Sequence, residues 1–169
     1  MTTFLISDTH FGHSTMLKVK NSDGSPVRSF SSVEEMDETM VENWNKVVGH
    51  SDKVYHLGDV VMSKKSLPIL SRLNGKKTLI AGNHDIFDTK EYLQYFNNVR
   101  GYRILENNFI LSHIPIHKDS LERYGVNIHG HLHGEVMNDP RYFSVCVEQI
   151  NYTPIALEEI KYEIENHGK

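Results

Sequence analysis

Short apolar segments that end abruptly in aspartate, asparagine or histidine constrain the fold of this chain most strongly. The run from Thr3 to Ser7 predicts a buried strand, and the polar group Asp8-Thr9-His10 follows it directly. The same succession recurs along the chain. The polar residues beyond the five predicted strand ends are Asp8/His10, Asp59, Asn83/His84/Asp85, His113 and His131/His133. Rigid strands position the loops beyond them, so we predict that these side chains converge on one edge of a sheet.

The segments between these groups predict alternating strands and helices. Ser32 and Glu35 have capping-box spacing before an apolar helical face that extends from Val33 to Val48, and Gly49 ends the helix. A second helix is predicted at Leu67 to Leu73, whereas Ile155 to Ile164 fits either a strand or a helix. The further predicted strands are Lys53 to Leu57, Lys77 to Ala81, Val126 to His129, Tyr142 to Val147, and a hairpin of Arg100 to Leu105 and Phe109 to Ser112 around Glu106-Asn107-Asn108.

Length and composition predict that residues 1–169 form a single compact domain. The lone Cys146 cannot form an internal disulfide, and no apolar run approaches the roughly 20 residues of a membrane helix. We therefore expect a cytoplasmic protein without a membrane partner. The 18 basic and 22 acidic residues give a net charge of −4, so extended nucleic acid is not an expected partner. The sequence does not indicate the oligomeric state.

The 11 histidines are the compositional feature that bears most on function. A single loop histidine is more often a solvated residue than a ligand, so the prediction depends on the ordered set. Aspartate, asparagine and histidine supply oxygen and imidazole nitrogen without thiolate, which suits divalent manganese, iron, zinc or nickel in an open catalytic site. A closed structural zinc site is disfavoured.

In these motifs the chain resembles the calcineurin-like metallophosphoesterases, particularly their small, uncapped bacterial and phage members. The family pattern is Asp-x-His, Gly-Asp, Gly-Asn-His-Asp/Glu, a later His and Gly-His-x-His. These motifs occur here in the same order as Asp8-Thr9-His10, Gly58-Asp59, Gly82-Asn83-His84-Asp85, Ser112-His113 and Gly130-His131-Leu132-His133. Each motif alone arises easily by chance, but five in order are specific. The resemblance implies an α/β fold in which a two-sheet β sandwich is flanked by helices in αββα layers.

The resemblance also implies a ligand set for two divalent metal ions, with manganese expected first and iron, zinc or nickel as alternatives. One ion would be held by Asp8, His10 and His133. The second ion would be held by Asn83, His113 and His131, and Asp59 would bridge the two. No inserted cap domain is expected in a chain of this length.

The implied reaction is hydrolysis of a phosphodiester or phosphomonoester by metal-bound hydroxide. His84 would protonate the leaving oxygen, and Asp85 would orient His84. The expected partner is a small phosphate ester, with nucleotides among the candidates. Asn83, His13 and Arg28 are candidate substrate ligands, although Arg28 also fits an ordinary exposed loop arginine.

Two other functions fit the same motifs. One is a metal-dependent nuclease, and the other is a non-catalytic metal-binding interaction scaffold, because the family resembles a retromer subunit that uses this fold for binding. Retention of His84 beside the complete ligand set argues against the scaffold. The sequence does not identify the substrate, the choice between diester and monoester, or the roles of His117 and the loop at residues 21–30.

Overall fold

The computed structural model describes residues 1–106 and 108–167. The strands in this part of the chain are β1 (Thr3–Ile6), β2 (Lys53–His56), β3 (Lys76–Ile80), β4 (Asn98–Arg100), β5 (Arg103–Leu105), β6 (Phe109–Leu111), β7 (Val126–His129), β8 (Tyr142–Ser144) and β9 (Ile155–Ala156). The α-helices are α1 (Val33–Val47), α2 (Thr89–Tyr92), α3 (Leu121–Tyr124) and α4 (Leu157–His167). Shorter 3-10 helices span Ser14–Lys18, Lys64–Arg72 and Lys118–Ser120.

The first sheet has the strand order β4-β3-β2-β1-β9, and all its strands are parallel except β9. One face of this sheet packs against α1, whose buried stripe of Met36, Met40 and Trp44 meets Val54 and Leu79. The period of this stripe is the one that the sequence predicts for the helix. Burial of the stripe fixes the outer layer of the sandwich.

A side-chain cap fixes the start of α1. The Ser32 side chain accepts a hydrogen bond from the backbone N–H of Glu35 at 3.1 Å, as the capping-box spacing predicts. The reciprocal bond differs by one residue, because the Glu35 carboxylate accepts from the backbone N–H of Ser31 at 2.7 Å. The first bond satisfies an amide in the first turn of the helix, and the second satisfies the Ser31 amide just before it.

The second sheet has the order β5-β6-β7-β8, in which β6, β7 and β8 are parallel and β5 is antiparallel to β6. It packs against the remaining face of the first sheet. Leu57 and Ile80 from the first sheet share one apolar core with Leu111 and Ile128 from the second. The predicted two-sheet sandwich with flanking helices is therefore confirmed.

The two sheets meet where β1 ends. Ser7 forms a parallel bridge to Cys146, with Ser7 N–H donating to the Val145 carbonyl at 2.8 Å and Val147 N–H donating to the Ser7 carbonyl at 3.1 Å. The predicted strand ends therefore lie on adjacent edges of two sheets, whereas we expected them on one edge of a single sheet. Strands from both sheets position the candidate site.

Two other elements differ from the sequence predictions, and one segment that the sequence left open is assigned. The predicted strand Arg100 to Leu105 is divided between β4 and β5, so the chain passes from the first sheet to the second at Gly101 and Tyr102. The hairpin of β5 and β6 is confirmed, and Asn107, which the sequence predicts in the connecting segment, lies outside the described residues. The second helix has 3-10 geometry and contains Pro68. The segment of uncertain type contains β9 followed by α4.

None of the helices in residues 1–106 and 108–167 is both long enough and apolar enough to span a membrane.

Candidate metal centre

Five of the seven predicted metal ligands have a left-handed backbone conformation. Asp8, His10, Asp59, His131 and His133 have φ angles between 48° and 73°. A non-glycine residue in this region costs of order 1 kcal/mol, and such residues concentrate at functional sites where the surrounding structure imposes them. The sharp turns after β1, β2 and β7 direct these side chains towards one another instead of continuing each strand.

Asp8, His10 and His133 form the first cluster. One side-chain atom from each of these residues lies within 4.8 Å of the corresponding atoms of the other two. Asp8 Oδ1 is 3.8 Å from His10 Nε2 and 3.7 Å from His133 Nε2. The other carboxylate oxygen, Oδ2, accepts hydrogen bonds from the Ser7 hydroxyl and from the backbone N–H of His131. These bonds fix the carboxylate with Oδ1 facing the two imidazoles.

Asp59, His113 and His131 form the second cluster, with the same 4.8 Å limit between their side-chain atoms. Asp59 Oδ2 lies 3.4 Å from His113 Nε2 and also 3.7 Å from His10 Nε2 in the first cluster. Its other oxygen, Oδ1, accepts from the backbone N–H of His84 at 2.9 Å. One carboxylate oxygen of Asp59 therefore lies between the two clusters.

The ring of His113 is oriented by a backbone carbonyl from a distant part of the chain. His113 Nδ1 is 2.7 Å from the Leu57 carbonyl, so Nδ1–H donates there and Nε2 faces the cluster. Asn83 Oδ1 is 2.8 Å from the same Nε2, and His131 Nδ1 is 3.3 Å from it. Asn83 therefore joins the second cluster, where the resemblance expects it.

Unsatisfied polar atoms show that the donor set fits a bound cation. Asp8 Oδ1 and both ring nitrogens of His10 are buried and have no hydrogen-bond partner among the described residues. Leaving such groups unpaired costs about 1–3 kcal/mol each. A divalent ion coordinated by oxygen and imidazole nitrogen would compensate this cost, and the absence of thiolate from both clusters matches an open site.

The charges within the site are strongly coupled. Burial opposes ionisation of Asp8, but its contact with His10 and the nearby charges of His113 and His133 outweigh burial and hold its pKa well below its usual range. Burial also opposes protonation of His113, yet the Asp59 and Asp8 carboxylates raise the pKa of His113. The pKa of His131 is instead lowered, by burial and then by the charge of His113. The site favours ionised carboxylates, the state that binds cations.

Glycines allow the loops of the site to approach closely. A Cβ atom on Gly58 would lie 2.6 Å from the Gly82 backbone and 2.7 Å from His113 Nδ1. A Cβ atom on Gly82 would lie 2.3 Å from Asp59 Oδ1. These separations are too short for real contacts, so the glycines that precede Asp59 and Asn83 are required for the clusters to form.

His84 and His13 lie beside the first cluster. Their ring centroids are 5.8 Å and 5.6 Å from the His10 ring, respectively. His84 is exposed, so a substrate can reach its ring from solvent. Burial, followed by the charges of His10 and His84, lowers the pKa of His13. Both predicted residues therefore face the same part of the site.

The structure contradicts the predicted orientation of His84 by Asp85. Asp85 Oδ2 accepts from the backbone N–H groups of Asp59 and Gly82, each at 2.8 Å, and Oδ1 accepts from that of Val60 at 3.0 Å. Both oxygens are thus occupied by backbone donors. Asp85 joins the loop after β2 to the loop after β3, and its role is to shape the site.

Arg28 is also placed differently from the prediction. It is buried, and its guanidinium donates to the backbone carbonyls of Asp8 and Thr9 and to the Glu148 carboxylate. Its donors are therefore directed into the protein, which contradicts both an exposed loop arginine and a substrate ligand. Arg28 fixes the loop between Asp8 and His10 from behind.

The sequence analysis did not identify Glu148. Its side chain is only 5% exposed, and Oε1 lies 3.0 Å from His133 Nδ1 and 2.8 Å from Arg28 Nε. Glu148 therefore orients His133 of the first cluster and compensates the buried charge of Arg28. Because 120 residues separate Glu148 from Arg28, no local sequence pattern could have revealed the contact.

A buried histidine supports the first loop from the other side. Thr9 Oγ1 donates to the Val60 carbonyl at 2.9 Å and lies 3.0 Å from His56 Nε2, while Gly58 N–H donates to His56 Nδ1 at 3.2 Å. His56 is therefore neutral, with its proton on Nε2. Burial lowers its pKa to about 3.

A family model described as the calcineurin-like phosphoesterase superfamily domain matches residues 1–146. The chain therefore belongs to this family, and the resemblance seen in the motifs is confirmed. One relative is the uncharacterized protein MJ1445 of Methanocaldococcus jannaschii. It is 39% identical over 176 residues, which cover 96% of this chain and 90% of the relative.

Two solved structures resemble this fold over most of the chain. The protein of unknown function AQ665 from Aquifex aeolicus superposes with a TM-score of 0.71 at 28% identity, over 95% of this chain and 98% of that chain. The nuclease MPE of Pseudomonas putida superposes with a TM-score of 0.52 at 21% identity, over 78% of this chain and 61% of the nuclease. At this identity the second likeness shows the fold alone.

Proposed function

We propose that this protein is a phosphoesterase that requires two divalent metal ions and hydrolyses a phosphodiester or phosphomonoester. The observation that carries the proposal is the pair of clusters with Asp59 Oδ2 between them, 3.7 Å from His10 Nε2 and 3.4 Å from His113 Nε2. Two ions bound there would neutralise the phosphate charge and lower the pKa of a water molecule enough for it to attack phosphorus at neutral pH.

The residues of the chain would divide the work as follows. Asp8, His10 and His133 would hold one ion, and Asn83, His113 and His131 would hold the other, with the Asp59 carboxylate shared. Manganese is the metal that we expect first, because it suits the carboxylate and amide oxygens of both clusters, and iron, zinc or nickel are the alternatives because they suit imidazole. The turns after β1, β2 and β7 fix these groups before substrate binds, which limits the reorganisation that the reaction requires.

His84 would serve as the proton donor. Hydrolysis leaves negative charge on the departing oxygen, and a proton from the His84 ring N–H would neutralise it. The ring is exposed beside His10, while its backbone N–H is anchored on Asp59 Oδ1. His13, on the same side of His10, would contact the phosphate ester. Because the site is open to solvent at His84, we favour diesters over monoesters, and a nucleotide is a suitable substrate.

The test uses bis(p-nitrophenyl) phosphate and p-nitrophenyl phosphate. The protein is stripped of metal by chelation and assayed before and after addition of Mn²⁺. We expect turnover only with metal, and we expect His84→Ala to lower kcat by about 100-fold or more while metal content stays at the wild-type level. The matched control is His50→Ala, which changes an exposed histidine outside both clusters.

Two results would contradict the proposal. If neither ester nor any nucleotide is hydrolysed despite bound metal, the non-catalytic scaffold is the better explanation. If single-stranded DNA is cleaved while both small esters are inert, the nuclease is the better explanation.

A further inference from the structure

The face of the first sheet that packs on the second sheet changes character along its strands. Near the metal-site loops this face carries Leu57 and Ile80, which are buried in the core between the sheets. At the opposite ends of β2 and β3 the same face carries Lys53 and Lys76, which are exposed. A cleft of about 290 Å³ opens there, where the second sheet no longer covers the first.

Four cationic side chains line this cleft. Lys53 and Lys76 come from β2 and β3, while Arg100 comes from β4 and Arg103 from β5 of the second sheet. We call these residues the basic cleft. No aspartate or glutamate lines it, and within the described part of the chain none of the four cations forms an ion pair. Several other cations are compensated, as in the pair of Arg72 with Glu38.

The arrangement of two of these charges is unfavourable for the isolated protein. Lys53 and Lys76 are register partners in adjacent parallel strands, so their side chains leave the same face roughly 5 Å apart at the backbone. Like charges directly opposite each other destabilise a sheet. An anionic ligand would relieve this repulsion, and no group of the described chain does so. The net charge of −4 is a sum over the whole chain, so it does not reveal this local concentration of positive charge.

An aromatic residue lies between the two arginines. The turn Arg100-Gly101-Tyr102-Arg103 joins the two sheets, and Tyr102 is 59% exposed. Arg100 and Arg103 also line a second concavity next to Tyr102, so the positive surface continues past the aromatic ring. An exposed ring between cations matches single-stranded nucleic acid, whose bases stack on aromatic side chains while its phosphates contact cations.

We propose that the basic cleft and Tyr102 bind single-stranded nucleic acid. The backbone phosphates contact the four cations, and a base stacks on Tyr102. Thr78 and Asn98, which also line the cleft, supply hydrogen-bonding groups. Lys53 begins the four-residue strand β2, and the loop that carries Asp59 follows the other end of this strand. The cleft and the metal-site loop are therefore separated by roughly 13 Å along β2. The proposal concerns binding alone and does not require that the metal centre be catalytic.

The test measures fluorescence anisotropy of a labelled oligothymidylate of roughly 15 nucleotides with full-length protein in chelator, so that hydrolysis cannot interfere. Between about 50 and 200 mM salt, four phosphate contacts predict a slope of about −3 for log K against log [salt]. The variant Lys76→Glu with Arg103→Glu should bind at least about tenfold more weakly and have a slope closer to zero by about 1.4. Tyr102→Ala should weaken binding by about fivefold or more.

The matched control is Lys46→Glu with Lys65→Glu. These are exposed lysines on the opposite side of the first sheet, and the substitutions change the net charge equally. We expect the control to bind within about twofold of the wild type, because its two lysines lie outside the cleft and contact no phosphate of the oligonucleotide. Circular dichroism melting establishes that every variant is folded.

Three outcomes would overturn the proposal. The first is no binding at the lowest salt, and the second is an equal loss in the cleft and control variants. The third combines two results: Tyr102→Ala binds the oligonucleotide with unchanged affinity, and dextran sulfate competes for the wild-type protein as well as unlabelled oligonucleotide does. That outcome would show a site for polyanions in general.

Discussion

Replacing Glu148 tests how strongly the residues behind the ligands determine metal binding. Glu148 Oε1 is shared by His133 Nδ1 at 3.0 Å and Arg28 Nε at 2.8 Å, and the side chain is almost fully buried. Glu148→Gln keeps the size of the side chain and one carbonyl oxygen. It removes the negative charge and puts an amide N–H₂ group in place of Oε2. In the wild type Oε2 is buried and has no hydrogen-bond partner among the described residues.

The expected loss is confined to one metal. Removing the partner of a metal-bound histidine typically weakens binding by about 10–100-fold, which corresponds to about 1.4–2.7 kcal/mol. His133 belongs only to the first cluster, so the second ion should keep its affinity. The charge of Arg28 is also left without its carboxylate, and an uncompensated buried charge lowers the free energy of unfolding by up to about 3–5 kcal/mol. The backbone carbonyls that Arg28 contacts place the expected loss towards the lower end of this range.

The assay is a calorimetric titration of metal-free protein with Mn²⁺, well below the melting temperature of each variant. Wild type should bind two ions, and Glu148→Gln should show one unchanged and one weakened step. Glu159→Gln changes an exposed glutamate on α4 and serves as the control. Two unchanged steps in folded Glu148→Gln would refute the role of Glu148, and equal weakening of both steps would refute its confinement to the first cluster.

Three further predictions follow from the same geometry. Asp59→Asn should lower the content of both ions, because its Oδ2 lies between the clusters; two ions retained at wild-type affinity in elemental analysis would contradict this. The pKa of His56 falls from 6.5 to about 3 on folding, so the unfolded chain takes up a proton that the folded protein excludes. The contribution of this histidine to the free energy of unfolding is therefore fully present above pH 6.5 and declines as the pH falls towards 3. Between pH 7 and 5 this proton uptake lowers the free energy of unfolding by roughly 2 kcal/mol in the wild type, and urea unfolding should show no such contribution in His56→Gln. An equal decline in the variant would disprove the role of His56. Burial raises the pKa of the Cys146 thiol, so Ellman's reagent should react only after unfolding; rapid reaction of the native protein would count against this burial.

The sequence was sufficient to predict the residues that make up the two clusters. Asp8, Asp59 and His113 each follow a short apolar strand, so their identity and their position at a strand end are both visible in one dimension. Their convergence follows from the parallel strands that carry them. The resemblance implied two sheets, but the sequence did not show which strands belong to which sheet, because the bridge between Ser7 and Cys146 joins residues far apart in the chain.

The supporting contacts could not be predicted in the same way. Asp85 lies in a family motif, but its partners are backbone N–H groups at Asp59, Val60 and Gly82, which only the folded loops bring together. Arg28 comes from a polar segment that resembles a surface loop, and its burial depends on the carboxylate of Glu148. A motif identifies the chemistry of a side chain, whereas the direction in which it points depends on the packing of distant segments.

Anomalous diffraction from crystals grown with Mn²⁺ tests the central claim most directly. The account predicts two peaks roughly 3.5–4 Å apart, one beside Asp8, His10 and His133 and one beside Asn83, His113 and His131, with Asp59 touching both. A single peak, or manganese bound away from these residues, would contradict a centre that uses two metal ions.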